Sequence, residues 1–259
     1  RAVVPVTGVI QDDYGLATAR FEYIVDDETK WRTSSFKSPV SRGTTEHKLG
    51  DAAGGTIERF NVALLDLTEG QTLALGVVAT DQCTIPEANS TRAEPIVFRI
   101  VSSQELLSLL YTRELNLRRR FEDVIQQLEL VREDLQFHED VAKRVETAGD
   151  GEASSEDRIG LTTAATRSGN NLRRQNNEVE SIVEAFNEIR QQLINNAIPP
   201  QDLAEDMKKE IIDPLQAVTK TLMVDADRSV SRFRVAATSG KPASKLAAQS
   251  VKDVSNVIS

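Results

Sequence analysis

The sequence is poor in the residues from which most catalytic and redox sites are built. Its 259 residues include one cysteine, Cys83, and two histidines, His47 and His138. A single cysteine excludes an intrachain disulfide, and no glycine-rich phosphate loop, HExxH segment or paired-cysteine motif occurs. Nucleophilic catalysis would need Cys83 or a serine beside a base, and the two histidines lie far apart in the sequence. We therefore expect no enzymatic activity.

Long apolar runs and excess positive charge are also missing. No run of about 18 apolar residues is present, so no membrane-spanning helix is expected. Acidic residues number 40 and basic residues 31, which gives a net charge of −9 and disfavours binding to nucleic acid or anionic lipid. The basic runs at residues 118–120 and 173–174 fan out around a helix, so ion pairs with neighbouring acids are their expected role.

The spacing of apolar residues changes near residue 101, and the pattern before that point predicts short strands. Turns that are mostly rich in glycine and aspartate separate alternating segments, which predicts strands at residues 2–10, 16–25, 30–36, 44–49, 56–67, 72–80 and 93–101. Seven short strands in about 100 residues are typical of an immunoglobulin-like antiparallel β-sandwich. We assign residues 1–101 to this fold and expect Trp31 in its core.

The pattern of apolar residues after residue 101 predicts helices. Ser102 and Glu105 fit a capping box, and apolar residues then recur at intervals of three and four, as in a coiled-coil seam. We predict helices at about 103–146, 155–198, 200–239 and 243–259, packed over residues 102–259 as an elongated antiparallel bundle. Pro214 is expected to kink the third helix.

The heptad positions define a predicted helix-packing core. His138 falls on the same seam, where a register-setting role is more typical than catalysis. Whether the seam is buried within one chain or between chains stays open at this point. The predicted core residues are Leu110, Leu117, Phe121, Val124, Leu128, Val131, Leu135, Leu172, Val179, Phe186, Leu193, Leu215 and Leu222.

Asp12, Asp13 and Asp81 are the best candidate site in the strand-rich part. Carboxylates gathered at one end of a sandwich can bind calcium, or they can cap turns by accepting backbone N–H bonds, and capping is the commoner role. No other cofactor is expected. A sandwich that binds glycan or peptide is the alternative function, and an exposed aromatic groove around Trp31, Tyr14 and Tyr23 would favour it.

Residues 12–16 (DDYGL), followed by the strand end at residues 79–81, resemble a recurrent pattern. The pattern is that of the immunoglobulin-like domain that precedes a coiled coil in large membrane-anchored bacterial envelope proteins of unknown function. This resemblance implies a location in the periplasm or cell envelope and a membrane anchor upstream, and it brings no catalytic residues. The chain has no initiating methionine and no signal peptide. Because it opens on a strand-like segment at residue 1 and stops at residue 259 inside a helical pattern, we expect the native protein to extend beyond both ends.

Taken together, these features predict a structural or interaction module of a larger envelope protein. We expect it to act as a spacer or scaffold, with self-association or protein binding through the helices. No contact of this segment with a membrane is expected.

Overall fold

The chain folds as antiparallel β-sheets followed by long helices. The computed structural model describes residues 2–50, 55–83, 88–148, 155–199 and 202–259. Two compact units are present. The first comprises Arg1–Leu109 with Gln192–Pro199, and the second comprises Leu110–Gln191 with Pro200–Ser259. The first unit thus includes short helical segments in addition to the strand-rich residues.

The sheets of the first unit are built around two long, paired strands. The described strands are β1 (Val3–Val6), β2 (Gly8–Gln11), β3 (Leu16–Val25), β4 (Arg32–Ser35), β5 (Glu46–Leu49), β6 (Glu58–Asn61), β7 (Thr72–Asp81), β8 (Ser90–Arg92) and β9 (Ile96–Arg99). One sheet has the order β4-β3-β7-β8, with β9 also paired to β7, while β1-β6 and β2-β5 form two-stranded sheets. All these pairs are antiparallel.

Apolar side chains from all three sheets form one core. Phe21 of β3 is near its centre, with ring centroids 4.7 Å from Phe36 and 5.3 Å from Phe60. On β3 the alternation puts Ala19 and Phe21 inside and leaves Arg20 exposed, as the sequence pattern predicts. The buried members of this core are Ala19, Phe21, Val25, Phe36, Leu49, Phe60, Val62, Leu73 and Leu75.

Several predicted strands differ in extent from the observed ones, and the single strand expected over residues 2–10 is two strands, β1 and β2, which pair in different sheets. The strand expected over residues 56–67 ends at Asn61, whose side-chain oxygen accepts a hydrogen bond from the Ala63 N–H at 3.1 Å. That bond starts the 3₁₀ turn Val62–Leu65. The strand expected over residues 93–101 begins later, as β9 at Ile96, because Pro95 has no N–H with which to join a ladder; β8 lies just before the expected range.

The first long helix begins where the capping pattern predicts. They are α1 (Ser103–Ala148), α2 (Ser155–Asn195), α3 (Leu203–Met207), α4 (Asp213–Ala217), α5 (Met223–Thr238) and α6 (Ser244–Ile258). The Ser102 hydroxyl accepts the Glu105 N–H at 3.0 Å, whereas the Glu105 carboxylate binds the Arg99 guanidinium at 2.6 Å. Among the described helices, none combines the length and apolarity needed to cross a bilayer.

Two π-helical turns shift the buried face of the third helical run. The Asp213 N–H bonds to the carbonyl of Lys208, and the Met223 N–H bonds to that of Val218, each five residues back. Each π turn, Lys208–Ile212 and Val218–Leu222, inserts one residue relative to an α-helical count. Pro214, expected to kink the helix, lies directly after the first of these turns.

The predicted helix-packing residues differ in their burial. Phe121, Leu215 and Leu222 are only half-buried. For the last two the π turns are the cause, because they bring Ile212, Thr219 and Met223 to the buried face. The other ten residues are buried within this single chain: Leu110, Leu117, Val124, Leu128, Val131, Leu135, Leu172, Val179, Phe186 and Leu193.

Ion pairs across the second unit show the direction of its first two helices. Arg113 of α1 binds Glu188 of α2 at 2.8 Å, and Arg120 of α1 binds Glu178 of α2 at 2.7 Å. The partner position on α2 falls as the position on α1 rises. The two helices therefore run antiparallel along their shared seam.

Candidate functional site

Two of the three predicted carboxylates line one cavity in the first unit. The cavity has a volume of about 350 Å³, and its floor is apolar, with Leu16, Leu49 and Val77. Asp12 and Asp81 both border it. The full lining consists of Val6, Thr7, Gly8, Val9, Ile10, Gln11, Asp12, Leu16, Leu49, Val77, Ala79, Thr80, Asp81, Asn89, Thr91 and Ala93.

The turn that carries Asp12 is held by local hydrogen bonds. The Asp12 carboxylate accepts the Tyr14 N–H at 2.9 Å, which is an Asx turn. Gly15 follows with φ of +89°, and a Cβ built on it would lie 3.0 Å from the carbonyl oxygen of Gly43. The Gln82 N–H then donates to the Gly15 carbonyl at 2.8 Å. Glycine is required here by both the backbone angle and the close approach.

Asp81 is a buried carboxylate whose oxygens are satisfied by neutral donors. One oxygen accepts the N–H groups of Cys83 at 3.1 Å and Asn89 at 2.9 Å, and the other accepts the Asn89 side-chain amide at 2.9 Å. The Asn89 side-chain hydrogen bond lowers the pKa of Asp81 below its ordinary value, and it outweighs the opposing effect of burial. The end of the cavity is therefore negatively charged at neutral pH.

The three carboxylates of the predicted calcium site do not all lie at one place. Asp13 is exposed and does not line the cavity that Asp12 and Asp81 share. Within the described ranges, no group of three or more histidine, cysteine, aspartate or glutamate side chains is arranged to hold a metal ion. Asp12 and Asp81 cap turns, which is the role that the sequence pattern favours.

The candidate nucleophile and bases lie in different surroundings. Cys83 is half-buried and follows Asp81 in the first unit. His47, also in the first unit, stacks on Phe36 with ring centroids 6.5 Å apart. His138 belongs to the second unit, where its Nδ1 lies 2.7 Å from the backbone carbonyl of Asp134.

A serine, an aspartate and a histidine do meet in the second unit, and sequence reasoning missed them. The Ser168 hydroxyl donates to Asp134 at 3.2 Å, and Asp134 also pairs with Arg167 and lies 3.6 Å from His138 Nδ1. In a catalytic triad the histidine stands between serine and aspartate, whereas here the aspartate is central. The arrangement stabilises helix packing and does not activate the hydroxyl.

The basic runs form ion pairs, as expected. Arg118 binds Glu114 at 2.6 Å within α1, and Arg120 reaches across to α2. Arg173 binds Asp227 at 3.0 Å. Neighbouring carboxylates thus partner arginines from both runs.

The alternative function, a sandwich that binds glycan or peptide, would need Trp31, Tyr14 and Tyr23 to form one aromatic groove, but the three residues lie in separate places. Trp31, expected in the core, is half-buried and lies outside it. The Arg92 guanidinium carbon stands over its ring, 4.5 Å from the ring centroid. Arg92 in turn binds the Glu22 carboxylate at 2.5 and 2.9 Å. Tyr23 packs on the core and Tyr14 is 73% exposed at the turn. The three rings therefore have three different environments.

Known proteins give no direct guide to this site. Comparisons with protein-family models, with curated proteins and with solved structures find no match for the chain.

Proposed function

We propose that this chain is a non-enzymatic structural and interaction module that serves as a spacer or scaffold. The observation that carries the proposal is the burial of the heptad seam within one chain. Leu117, Leu128 and Leu135 are 6%, 2% and 0% exposed, so α1 has its apolar stripe covered without a second molecule. A helix whose stripe is covered internally holds its length and can space other domains.

The proposal includes an immunoglobulin-like sandwich in front of an antiparallel helical bundle. The strand order β4-β3-β7-β8 opposite β1-β6 and β2-β5, with one core between them, supports the sandwich. For the bundle, support comes from α2 as the shared partner: Arg190 of α2 binds Glu205 of α3 at 2.6 Å, and Arg173 of α2 binds Asp227 of α5 at 3.0 Å. These links have the antiparallel order already seen between α1 and α2.

The cellular setting of the proposal rests on the resemblance of residues 12–16 and 79–81. On that resemblance, the parent protein is anchored in a bacterial envelope and this module, with its net charge of −9, lies outside the cytoplasm. Self-association or protein binding would then use exposed surfaces. Leu130 and Phe137 are two such residues on α1, at 57% and 62% exposure.

Two leucines on α1 provide a matched test. Leu128 is 2% exposed and Leu130, two residues on, is 57% exposed. Leu128→Asp would bury an unpaired charge, so we expect a loss of about 3–5 kcal/mol of stability or failure to fold, with no change of mass in a folded fraction. Leu130→Asp should leave the free energy of unfolding within about 0.5 kcal/mol of that of the unaltered protein.

Circular dichroism and analytical ultracentrifugation read the two variants. If Leu128→Asp melted like the parent, the internal seam would be refuted. If it instead kept its fold and dispersed an oligomer, the seam would lie between chains, and the spacer proposal in its present form would fail. A smaller mass for Leu130→Asp alone would locate self-association on the exposed face of α1.

A further inference from the structure

We propose that the edge of β2 beside the 350 Å³ cavity binds an extended peptide segment of a partner protein, which adds to the β2-β5 sheet as another strand. This site lies in the first unit and is independent of the spacer role of the helices.

The lining of the cavity shows where the added strand would lie. All residues from Val6 to Asp12 border it, although successive side chains of a strand point to opposite faces. Only a cavity along the edge of β2 meets all of them. From the opposite sheet, Val77 and Ala79 of β7 and then Thr91 and Ala93 contribute alternate residues, and the successive residues Thr80 and Asp81 close one end. The cavity therefore occupies the position of the next strand beside β2, over the inner face of β7 and β8.

Among the residues that the structure describes, the hydrogen-bonding pattern leaves this edge of β2 unpaired. The Asp12 N–H donates to the Thr45 carbonyl at 3.0 Å, so Asp12 is a hydrogen-bonded position of the antiparallel ladder. Such positions alternate along a strand, so Val9 and Gln11 direct their N–H and C=O groups away from β5. Lys48 obeys the same alternation, because its carbonyl accepts from Thr56 on the far side of β5. Among the described strands β2 pairs with β5 alone.

The neighbouring strand shows that the open edge is limited to β2. On β1 the Val62 N–H donates to the Ala2 carbonyl at 3.0 Å, so Pro5 falls at an outward position. Proline has no N–H and blocks pairing there, a common protection of edge strands. The free edge thus runs from Thr7 to Asp12, about 20 Å at roughly 3.3 Å per residue.

The surroundings also specify the chemistry of the occupant. A strand added here would place alternate side chains over Val77, Ala79 and Ala93, where space suits small or medium apolar groups. Asp12 and Asp81 border the polar end, so a lysine or arginine is favoured there. The partner segment is therefore extended and about six residues long, with alternating apolar residues and a basic residue at one end.

A synthetic peptide tests the proposal directly. The probe is a fluorescein-labelled ten-residue peptide in which valine alternates with threonine and a lysine stands at each end. We expect saturable binding by fluorescence anisotropy, with changes in the backbone amide NMR signals of Val9 and Gln11. Ala79→Leu, which fills the cavity, should weaken binding about tenfold or more, whereas Ala74→Leu on the opposite face of β7 should keep it within about twofold.

Two peptide variants test the same claim on the unaltered protein, so the result does not depend on how the variants fold. N-methylation of alternate amides in the register that faces β2 should abolish binding, and the other register should retain it. Glutamate in place of lysine should weaken binding. No binding up to about 1 mM, or equal binding by both methylated peptides, would overturn the proposal. Concentration-dependent dimerisation that shifts the Val9 amide would also overturn it, in favour of a second copy of this chain.

Discussion

Glu58 is a carboxylate almost completely removed from water, and its replacement gives a sharp test of what holds the first unit together. The side chain on β6 is 1% exposed. Its two oxygens accept the backbone N–H groups of Lys37 at 2.8 Å and Ser38 at 2.7 Å. These bonds tie β6 to the turn that follows Phe36, a buried core residue.

The expected cost of Glu58→Ala follows from those two bonds. Leaving a buried donor without a partner costs about 1–3 kcal/mol for each group, and here both N–H groups are only partly buried. Water can satisfy part of the loss, so we expect a total of about 2–4 kcal/mol. Glu58→Gln keeps one acceptor oxygen but turns an amide N–H₂ toward the second N–H, so it should lose about 1–3 kcal/mol.

Urea unfolding measures these changes in the unit concerned. Trp31 is the single tryptophan of the chain, so its fluorescence reports the unfolding of the first unit. Glu69→Ala is the matched control, because Glu69 is exposed in a turn and its loss should cost less than about 0.5 kcal/mol. Equal unfolding midpoints for Glu58→Ala and Glu69→Ala would refute the reasoning.

Three further predictions follow from the same kind of contact. Ile212→Ala should lower the free energy of unfolding by about 2–4 kcal/mol, and Ile211→Ala by clearly less, because the π turn leaves Ile212 only 2% exposed. Thermal melts measure both variants, and the reverse order would refute the claim that the π turn brings Ile212 to the buried face. Gly15→Ala should lower the free energy of unfolding by about 1–3 kcal/mol, because the backbone at Gly15 has φ of +89°. Urea unfolding followed by Trp31 fluorescence measures the change, and an unchanged midpoint would contradict the close approach of Gly15 to Gly43. Burial opposes ionisation of Glu146, but the hydrogen bonds that its carboxylate accepts, from Ser244 above all, lower its pKa below the ordinary value of 4.5. The stability that the ionised carboxylate adds is therefore present above pH 4.5 and is lost as the pH falls through the lowered pKa. Protection factors of the α6 amides, taken relative to the intrinsic exchange rates at each pH, should fall at acid pH, and Glu146→Gln should remove that part of the pH dependence; an identical pH response in the variant would contradict this role of Glu146.

Local periodicity was sufficient for most secondary structure. The ten residues of β3 and the start of α1 were predicted to the residue, because alternation and the Ser102 cap are encoded within a few neighbouring positions. Errors occurred where one side chain redirects the backbone. Asn61 ends one predicted strand and begins a 3₁₀ turn, and Pro95 stands just before β9, which begins three residues later than predicted.

The candidate site was predictable only in part. The aspartates of the two turns stood out as a group, since they follow strands that were expected to end together. The sequence has no feature that shows the cavity beside β2, because a missing neighbour strand is a property of the whole sheet. Trp31 was misplaced for a similar reason: its partner Arg92 is 61 positions away in the sequence, and only sheet pairing brings them together.

The sequence by itself determined the order of strands and helices, the heptad seam and the lack of common catalytic motifs, since each depends on residue type and short-range spacing. Tertiary structure alone decided that the seam is buried within the chain, that π turns bring Ile212, Thr219 and Met223 to the buried face, and that β2 has an open edge among the described residues. These features depend on which segments meet in space. Hydrogen bonding and packing between distant residues set that outcome, and no short-range pattern records it.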